Sequence, residues 1–196
     1  MEISIESVRA NLPHYLTEEQ RIALVDALRE FPNHRVFYAD GFHRDILQGD
    51  GWSGLEIFDF GREERTRIQG FLLSNSCDMA PENKRNLPPY FVFAPLLALN
   101  SYKALMEGAG VSAEKIQSVL NNIRAQQITN IFYLPASGDH GERFVYLDRL
   151  HSLPVAKLTN AEQSGKIFSL NQYAFYLLTM KLSIHFCRLH EGVIRG

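Results

Sequence analysis

The chain has 196 residues, a formal net charge of −2 at pH 7 and a hydrophobic fraction of 45%. This length and composition fit one globular domain and exclude a disordered chain, a collagen and a disulfide-rich scaffold. The near-neutral charge argues against a nucleic-acid binder that depends on bulk positive charge, although it is compatible with a local basic patch.

The cysteines and the apolar stretches indicate the cellular compartment. The two cysteines, Cys77 and Cys187, are typical of a protein in a reducing compartment. The acidic N-terminus lacks the basic region of a signal peptide, and the longest uncharged stretch, residues 86–102, contains prolines that argue against a spanning helix. We therefore expect a cytoplasmic protein that makes no contact with a membrane.

Residues 1–33 are predicted to form an N-terminal helical segment. Thr17 precedes Gln20 at capping-box spacing, and apolar residues then recur with a helical period up to Phe31. Pro32 ends this helix because proline has no N–H to donate. The remaining residues, 34–196, are predicted to form one domain.

Short apolar runs between turn residues follow this segment and are typical of strands. The predicted strands lie at 36–38, 45–48, 55–60, 68–74, 90–95, 128–134 and 143–151. Glycine-rich turns are predicted at 49–51 and 53–54, and a hairpin turn at 136–141.

Two helices are predicted within the domain. One inserted helix at 100–127 carries an apolar stripe and has Ser112 as an N-cap. A C-terminal helix at 169–190 begins with a capping box from Ser169 to Gln172, and Lys181 lies at the edge of its apolar stripe. This order predicts an α+β fold with an antiparallel sheet, and the short strands favour a small curled barrel of five to seven strands.

The polar segment Ser74–Asp78, at the end of a predicted central strand, is the first candidate site. Loops at strand ends often carry function. Cys77 is a candidate nucleophile, with Ser74, Asn75 or Asp78 placed to hold a substrate, although a thiolate needs a neighbouring imidazole or cation. The structural alternative is a buried Cys77 that packs as a small apolar residue, next to an Asx turn at Asp78.

Charged residues near other strand ends form two further candidates. Basic residues flank the 68–74 strand on both sides and would make a phosphate-sized spot if the fold brings them together; they are Arg62, Arg65, Arg67, Lys84 and Arg85. Asp148 and Arg149 end a late strand, where they suit acid–base work or phosphate binding. The alternatives are a solvated loop face for the basic residues and a sheet-edge ion pair for Asp148 and Arg149.

No metal site is predicted. His185, Cys187 and His190 are spaced so that they point around the last helix instead of along one face. No Walker loop, dinucleotide-binding glycine motif or nucleophile elbow occurs in the sequence. We expect no cofactor.

Three segments together resemble the MazF/PemK-type toxin family, whose fold is a small SH3-like barrel. The segment from Arg67 to Ser74 is an arginine before an apolar strand that ends in serine, a second apolar strand ends in Ala94-Pro95, and a late strand carries Asp148 before a serine-containing turn. The resemblance spans about residues 43–185 without the inserted helix. The Ser-Asn-Ser-Cys-Asp segment also resembles an uncharacterised bacterial family.

The toxin family cleaves single-stranded RNA without a metal, using an arginine and a threonine or serine. The resemblance therefore implies that Arg67 binds phosphate. The candidate catalytic residues are Arg67, Ser74, Cys77 and Asp78, and the candidate ligand-binding residues are Asn75, Arg85, Asp148 and Arg149.

Two departures from the family pattern decide between two functions. Ile68 stands where the family arginine is expected, and Leu96-Leu97 stands where its threonine is expected. We therefore expect a non-catalytic protein-interaction module of a bacterial stress or phage-defence operon, which binds another protein through its terminal helices. The alternative is a metal-independent endoribonuclease acting on single-stranded RNA, and either form is compatible with a homodimer.

Overall fold

The computed structural model describes residues 36–80, 82, 86–138, 140–159 and 164–186. The predicted N-terminal segment 1–33 therefore lies outside the described residues, as do Lys84, Arg85, Cys187 and His190.

The described residues form an α+β fold, as the sequence predicts. The strands are β1 (Gly51–Asp59), β2 (Glu64–Leu72), β3 (Tyr90–Ala98), β4 (Ile131–Leu134), β5 (Arg143–Tyr146), β6 (His151–Pro154) and β7 (Gly165–Phe168). The helices are α1 (Ser76–Met79), α2 (Leu99–Gly108), α3 (Ala113–Arg124) and α4 (Gln172–Phe186), with a short 3-10 turn at Val155–Lys157. None of these helices is long and apolar enough to cross a membrane.

All strand pairs in the described sheet are antiparallel. The strand order is β4-β5-β3-β2-β1-β7, and β6 pairs with β3. β3 pairs with β6 through Tyr90–Phe93 and then with β5 through Leu96–Ala98, so that β5 and β6 extend along it one after the other. Within the described residues the sheet is not closed, because β4 and β7 lie at its two ends.

Each face of the central strands has its own apolar core. Phe71 lies opposite Ala94 and both belong to the cluster under α4, whereas Leu72 lies opposite Phe93 and both pack with Met79. This division follows from the two-residue period of strands, which points neighbouring side chains to opposite faces. A third cluster lies between α2, α3 and the β4–β5 pair.

Two predicted strands, at 36–38 and 45–48, are wrong. Tyr38 makes only an isolated bridge with Leu170. In the second segment, backbone donors pair with side chains instead of a strand: Leu47 N donates to Asp50 Oδ2 at 2.8 Å, and Gln48 N donates to Ser76 Oγ at 2.9 Å. Side-chain acceptors of this kind compete with sheet pairing.

The predicted single inserted helix is two helices, α2 and α3. Gly110 adopts a φ of +74°, a left-handed conformation that glycine accepts readily and that ends the first helix. Ser112 then caps α3, accepting a hydrogen bond from Lys115 N at 3.4 Å. The prediction of the Ser112 N-cap is therefore confirmed, and the continuous helix over 100–127 is not.

The C-terminal helix begins later than predicted. Asn171 Oδ1 accepts from Ala174 N at 2.9 Å and caps α4, while the predicted cap, Ser169, is buried and accepts from Lys166 Nζ instead. The prediction that Lys181 lies at the edge of the apolar stripe is also wrong, because this residue is only 3% exposed.

Candidate functional site

The Ser74–Asp78 corner is held together by its own hydrogen bonds. Ser74 Oγ accepts from Val92 N at 2.8 Å, which joins the end of β2 to β3. Asn75 Oδ1 accepts from Cys77 N at 2.9 Å and caps the short helix α1. These two predicted site residues therefore have structural roles that the local chain conformation requires.

Cys77 differs from the structural alternative that the sequence offers. Cys77 is exposed, so the expectation of a buried thiol packing as an apolar residue is wrong. The Asn75 side chain caps the turn at this corner. Met79 is the buried residue of α1 and anchors the corner to the core.

Arg67 lies far from this corner along β2. It is paired with Glu56, and its Nε is 3.7 Å from Glu56 Oε1. At about 3.3 Å per residue, the seven steps from Arg67 to Ser74 correspond to about 23 Å of extended chain. The predicted arginine–serine pair is therefore not assembled in one cleft.

Asp148 and Arg149 lie in the turn that separates β5 from β6, and not in a strand as predicted. Asp148 Oδ2 accepts from Asn130 Nδ2 at 2.9 Å, and the Arg149 guanidinium lies 4.3 Å from the centre of the Tyr146 ring. These contacts stabilise the turn and leave both side chains at the surface.

The outer half of the β1–β2 hairpin extends beyond the rest of the described sheet. β1 pairs with β7 only through Gly51–Ser53, and β2 pairs with β3 only through Gly70–Leu72. Beyond these residues, each strand pairs with the other alone among the described strands. We call residues 55–68 the β1–β2 arm.

One face of the arm presents two aromatic rings. The register sets Glu56 opposite Arg67 and Phe58 opposite Arg65, so these four side chains share a face. Phe58 is 46% exposed and Phe60, in the following turn, is 85% exposed. Their ring centres are 5.0 Å apart in an edge-to-face arrangement, which makes one contiguous apolar surface.

The opposite face anchors the arm to the protein. Leu55 is buried, and Ile57 and Ile68 pack against the same core cluster. The register shifts between Trp52 and Leu55, and Gly54 adopts a φ of +77°, so a bulge bends the arm at its base. The arm therefore has one anchored face and one face available for contact.

Several charged side chains of the arm form surface ion pairs. Glu56 lies between Arg67 and Lys157 at 3.7 and 3.5 Å, and Arg62 lies near Asp59 at 3.8 Å. Residues 55–68 contain four carboxylates and three arginines, a formal charge of −1. Surface pairs of this kind contribute about 0–1 kcal/mol each. The arm therefore offers apolar contact more than net charge.

Two lysines with little solvent exposure were not recognised from the sequence pattern. Lys166 Nζ lies 2.7 Å from Oδ2 of Asp50, which is fully buried, and burial raises the pKa of that carboxyl above its ordinary value. Lys181 Nζ donates to the oxygens of Gln126, Ile128 and Ile131. No motif marks either lysine, because their partners lie far away in the sequence.

Comparison with known proteins adds no assignment to this geometry. In the described part of the chain, no three His, Cys, Asp or Glu side chains are grouped so that they could hold a metal ion. No protein-family model matches the sequence, and no curated protein matches it significantly.

Proposed function

We propose that the protein is a non-catalytic interaction module that binds a partner protein through the β1–β2 arm. The observation that carries this proposal is the exposed Phe58–Phe60 surface on an arm with no net positive charge. Binding energy at protein interfaces concentrates on a few aromatic anchors that enter pockets of the partner. The partner chemistry that fits is an apolar pocket wide enough for two phenyl rings.

A protein partner fits the arm better than RNA does. Single-stranded nucleic acid needs a surplus of cations along its backbone, whereas the arm carries a formal charge of −1. The terminal helices, to which the sequence analysis assigned partner binding, lie outside the described residues except for α4. The proposal assigns binding to the arm because its exposed phenyl rings form a contiguous apolar surface.

We also propose a relationship between this fold and a known barrel. We take the sheet to be a divergent and open relative of the MazF-like barrel, in a chain that serves a stress or phage-defence operon. The bulge at the base of the arm and the interruption between β5 and β6 support this reading, since small barrels bend their strands at such positions.

A capture experiment in the native host tests the partner. The full chain with Phe58→Ser and Phe60→Ser is compared with the wild type and with Leu87→Ser, which removes a side chain that is 78% exposed elsewhere on the surface. We expect one discrete protein to be retained by the wild type and the Leu87→Ser variant and lost from the double variant. Equal retention by the double variant would contradict the proposal.

A second prediction concerns the ribonuclease alternative. We expect the purified chain to leave an unstructured RNA intact, both with EDTA and with Mg²⁺, because Arg67 and Ser74 are separated and Ser74 Oγ is bonded to Val92 N. The measurement is electrophoresis of an end-labelled RNA. Cleavage that disappears in Arg67→Ala and in Ser74→Ala would establish the alternative function.

A further inference from the structure

The helix α4 lacks the charged surface of a solvent-facing helix. Within Gln172–Phe186 the only Lys, Arg, Asp or Glu is Lys181, and this residue is buried. A surface helix normally has charged residues on the side that faces water, as α3 does with its exposed Glu114 and Lys115. The composition of α4 is therefore typical of a helix that is covered on both sides.

The buried residues of α4 identify the face that packs on the protein. Ala174, Leu177, Leu178 and Lys181 are buried and recur at helical spacing. At about 100° per residue, the opposite face is formed by Gln172, Tyr176, Thr179, Ser183 and Phe186. We call these five residues the outer α4 stripe, and none of them is an acidic or basic residue.

The outer α4 stripe is suited to contact with another helix. Phe186 is 53% exposed and Phe175, at the border of the stripe, is half-buried. Thr179 Oγ1 donates to the Tyr176 carbonyl at 2.9 Å, so this hydroxyl loses no hydrogen bond when it is covered. Thr179 and Ser183 are small, which lets a second helix approach the middle of the stripe closely.

The chain enters the described residues beside the first turn of α4. Asn171, which caps α4, donates from Nδ2 to the Val36 carbonyl at 3.0 Å and from its backbone N to the Phe37 carbonyl at 2.8 Å. Tyr38 forms an antiparallel bridge with Leu170. Because this pairing is antiparallel, the chain that precedes Val36 arrives from the side toward which α4 extends.

The sequence before Val36 supplies a helical pattern of matching length. Residues 1–35 lie outside the described residues, and their sequence predicts a helix after Thr17 that ends at Phe31. Such a helix would span about 21 Å, and the 15 residues of α4 span about 22 Å. The five steps from Phe31 to Val36 reach at most about 17 Å, which keeps the predicted helix near α4.

We propose that residues 18–31 pack as a helix antiparallel to α4 and cover the outer α4 stripe. Leu24, Leu28 and Phe31 share one side of the predicted helix and would face the stripe. Asp26 and Glu30 lie on the other side and would supply the charged surface that α4 lacks. This packing involves no residue of the β1–β2 arm, so it stands independently of the proposed partner binding.

Labelling of a single engineered thiol in the full chain tests this packing. Cys77→Ser and Cys187→Ser remove the two native thiols, and Thr179→Cys then places one thiol in the outer α4 stripe. We expect a maleimide dye to label it slowly, and about tenfold or more faster after Leu24→Ser with Leu28→Ser. Loss of the apolar contacts makes opening of the packed segment more frequent.

Two controls show where the change occurs. Asp26→Ser with Glu30→Ser alters the other side of the predicted helix and should leave the labelling of Thr179→Cys unchanged. Ala174→Cys places a thiol on the buried face of the same helix, since Ala174 is 0% exposed. Its labelling should stay slow in both backgrounds, because α4 itself remains packed on the protein.

Three labelling results would overturn the inference. They are fast labelling of Thr179→Cys in the otherwise unchanged segment, slow labelling that Leu24→Ser with Leu28→Ser does not accelerate, and labelling that accelerates on dilution of the protein. The last result would identify a second copy of the chain as the occupant of the stripe.

Urea denaturation gives a second test that does not depend on the labelling reaction. Leu24→Ser with Leu28→Ser, and separately Tyr176→Ser, should each lower the urea midpoint. Combined, they should lower it by less than the sum of the two shifts, because they remove the same contact surface. Additive shifts would overturn the inference even if the labelling of Ala174→Cys also accelerates.

Discussion

Replacing Lys181 with methionine is expected to lower the free energy of unfolding by about 3 kcal/mol, because the buried oxygens that accept from its Nζ lose their donor. These oxygens belong to Gln126, Ile128 and Ile131, 50 to 55 positions earlier in the chain. Gln126 also exchanges two hydrogen bonds with the backbone of Tyr133. Lys181 thus joins α4 to the connection between α3 and β4.

Urea denaturation of the full chain measures this change. Lys103→Met is the matched control, because Lys103 is an exposed residue of α2 with one surface partner, Glu107. We expect the control to change stability by less than about 0.5 kcal/mol. Equal stability of the Lys181→Met variant and the wild type would show that Lys181 does not hold α4 in place.

The pH dependence of the unfolding free energy tests the same prediction independently. Burial among uncharged oxygens lowers the pKa of Lys181 from 10.5 to about 7. Between pH 7 and pH 9 the unfolded chain therefore keeps a proton that the folded chain has released. Stability then rises with pH over this range. The wild type should show this rise relative to Lys181→Met, in which the titrating group is absent, and parallel pH profiles would contradict the prediction.

Replacing Lys166 with methionine is expected to cost about 3–5 kcal/mol, because it leaves the Asp50 carboxylate buried without its counter-ion. Asp50 is fully buried and its Oδ1 has no hydrogen-bond partner among the described residues, while its Oδ2 is bound by Leu47 N and Lys166. The double variant Asp50→Asn with Lys166→Met should be more stable than Lys166→Met alone. Chemical denaturation of the four proteins in this cycle measures the coupling.

Two measurements test whether the uncompensated charge of Asp50 causes the loss of stability in the Lys166→Met variant. Without Lys166 the pKa of Asp50 rises further, so the folded chain retains a proton that the unfolded chain releases above pH of about 4. The variant should therefore lose stability as pH rises from 4 to 7 relative to the wild type. Lys157→Met removes a lysine from a surface pair with Glu56 and should cost less than about 1 kcal/mol. If the difference in unfolding free energy between the Lys166→Met variant and the wild type did not change with pH, the prediction would be contradicted.

Local patterns in the sequence predicted most of the secondary structure. The apolar runs at 55–60, 68–74 and 90–95 overlap β1, β2 and β3, and the helical stripe after Ser112 became α3. These signals were sufficient because strand alternation, caps and turns depend on neighbouring residues. The same reasoning failed at 45–48, where the acceptors for the backbone, Asp50 and Ser76, are side chains.

Less of the candidate site than of the secondary structure could be predicted from the sequence. Polar residues at Ser74–Asp78 were recognised, but the strand-joining role of Ser74 depends on where Val92 lies in the fold. The Phe58–Phe60 surface carried no motif, since an aromatic residue in a strand is more often part of a core. Its exposure follows from the limited pairing of β1 with β7 and of β2 with β3.

The sequence by itself determined the α+β class, the antiparallel character of the sheet and the approximate places of its strands and helices. The tertiary structure alone decided that Asp50 meets Lys166, that Lys181 is buried, and that Phe58 is exposed. The physical reasons are contacts between elements far apart in the sequence and, for the strands, register. A strand alternates its side chains between two faces, so the strand that pairs with it, and the residue at which pairing stops, determine whether each side chain is buried, paired or exposed.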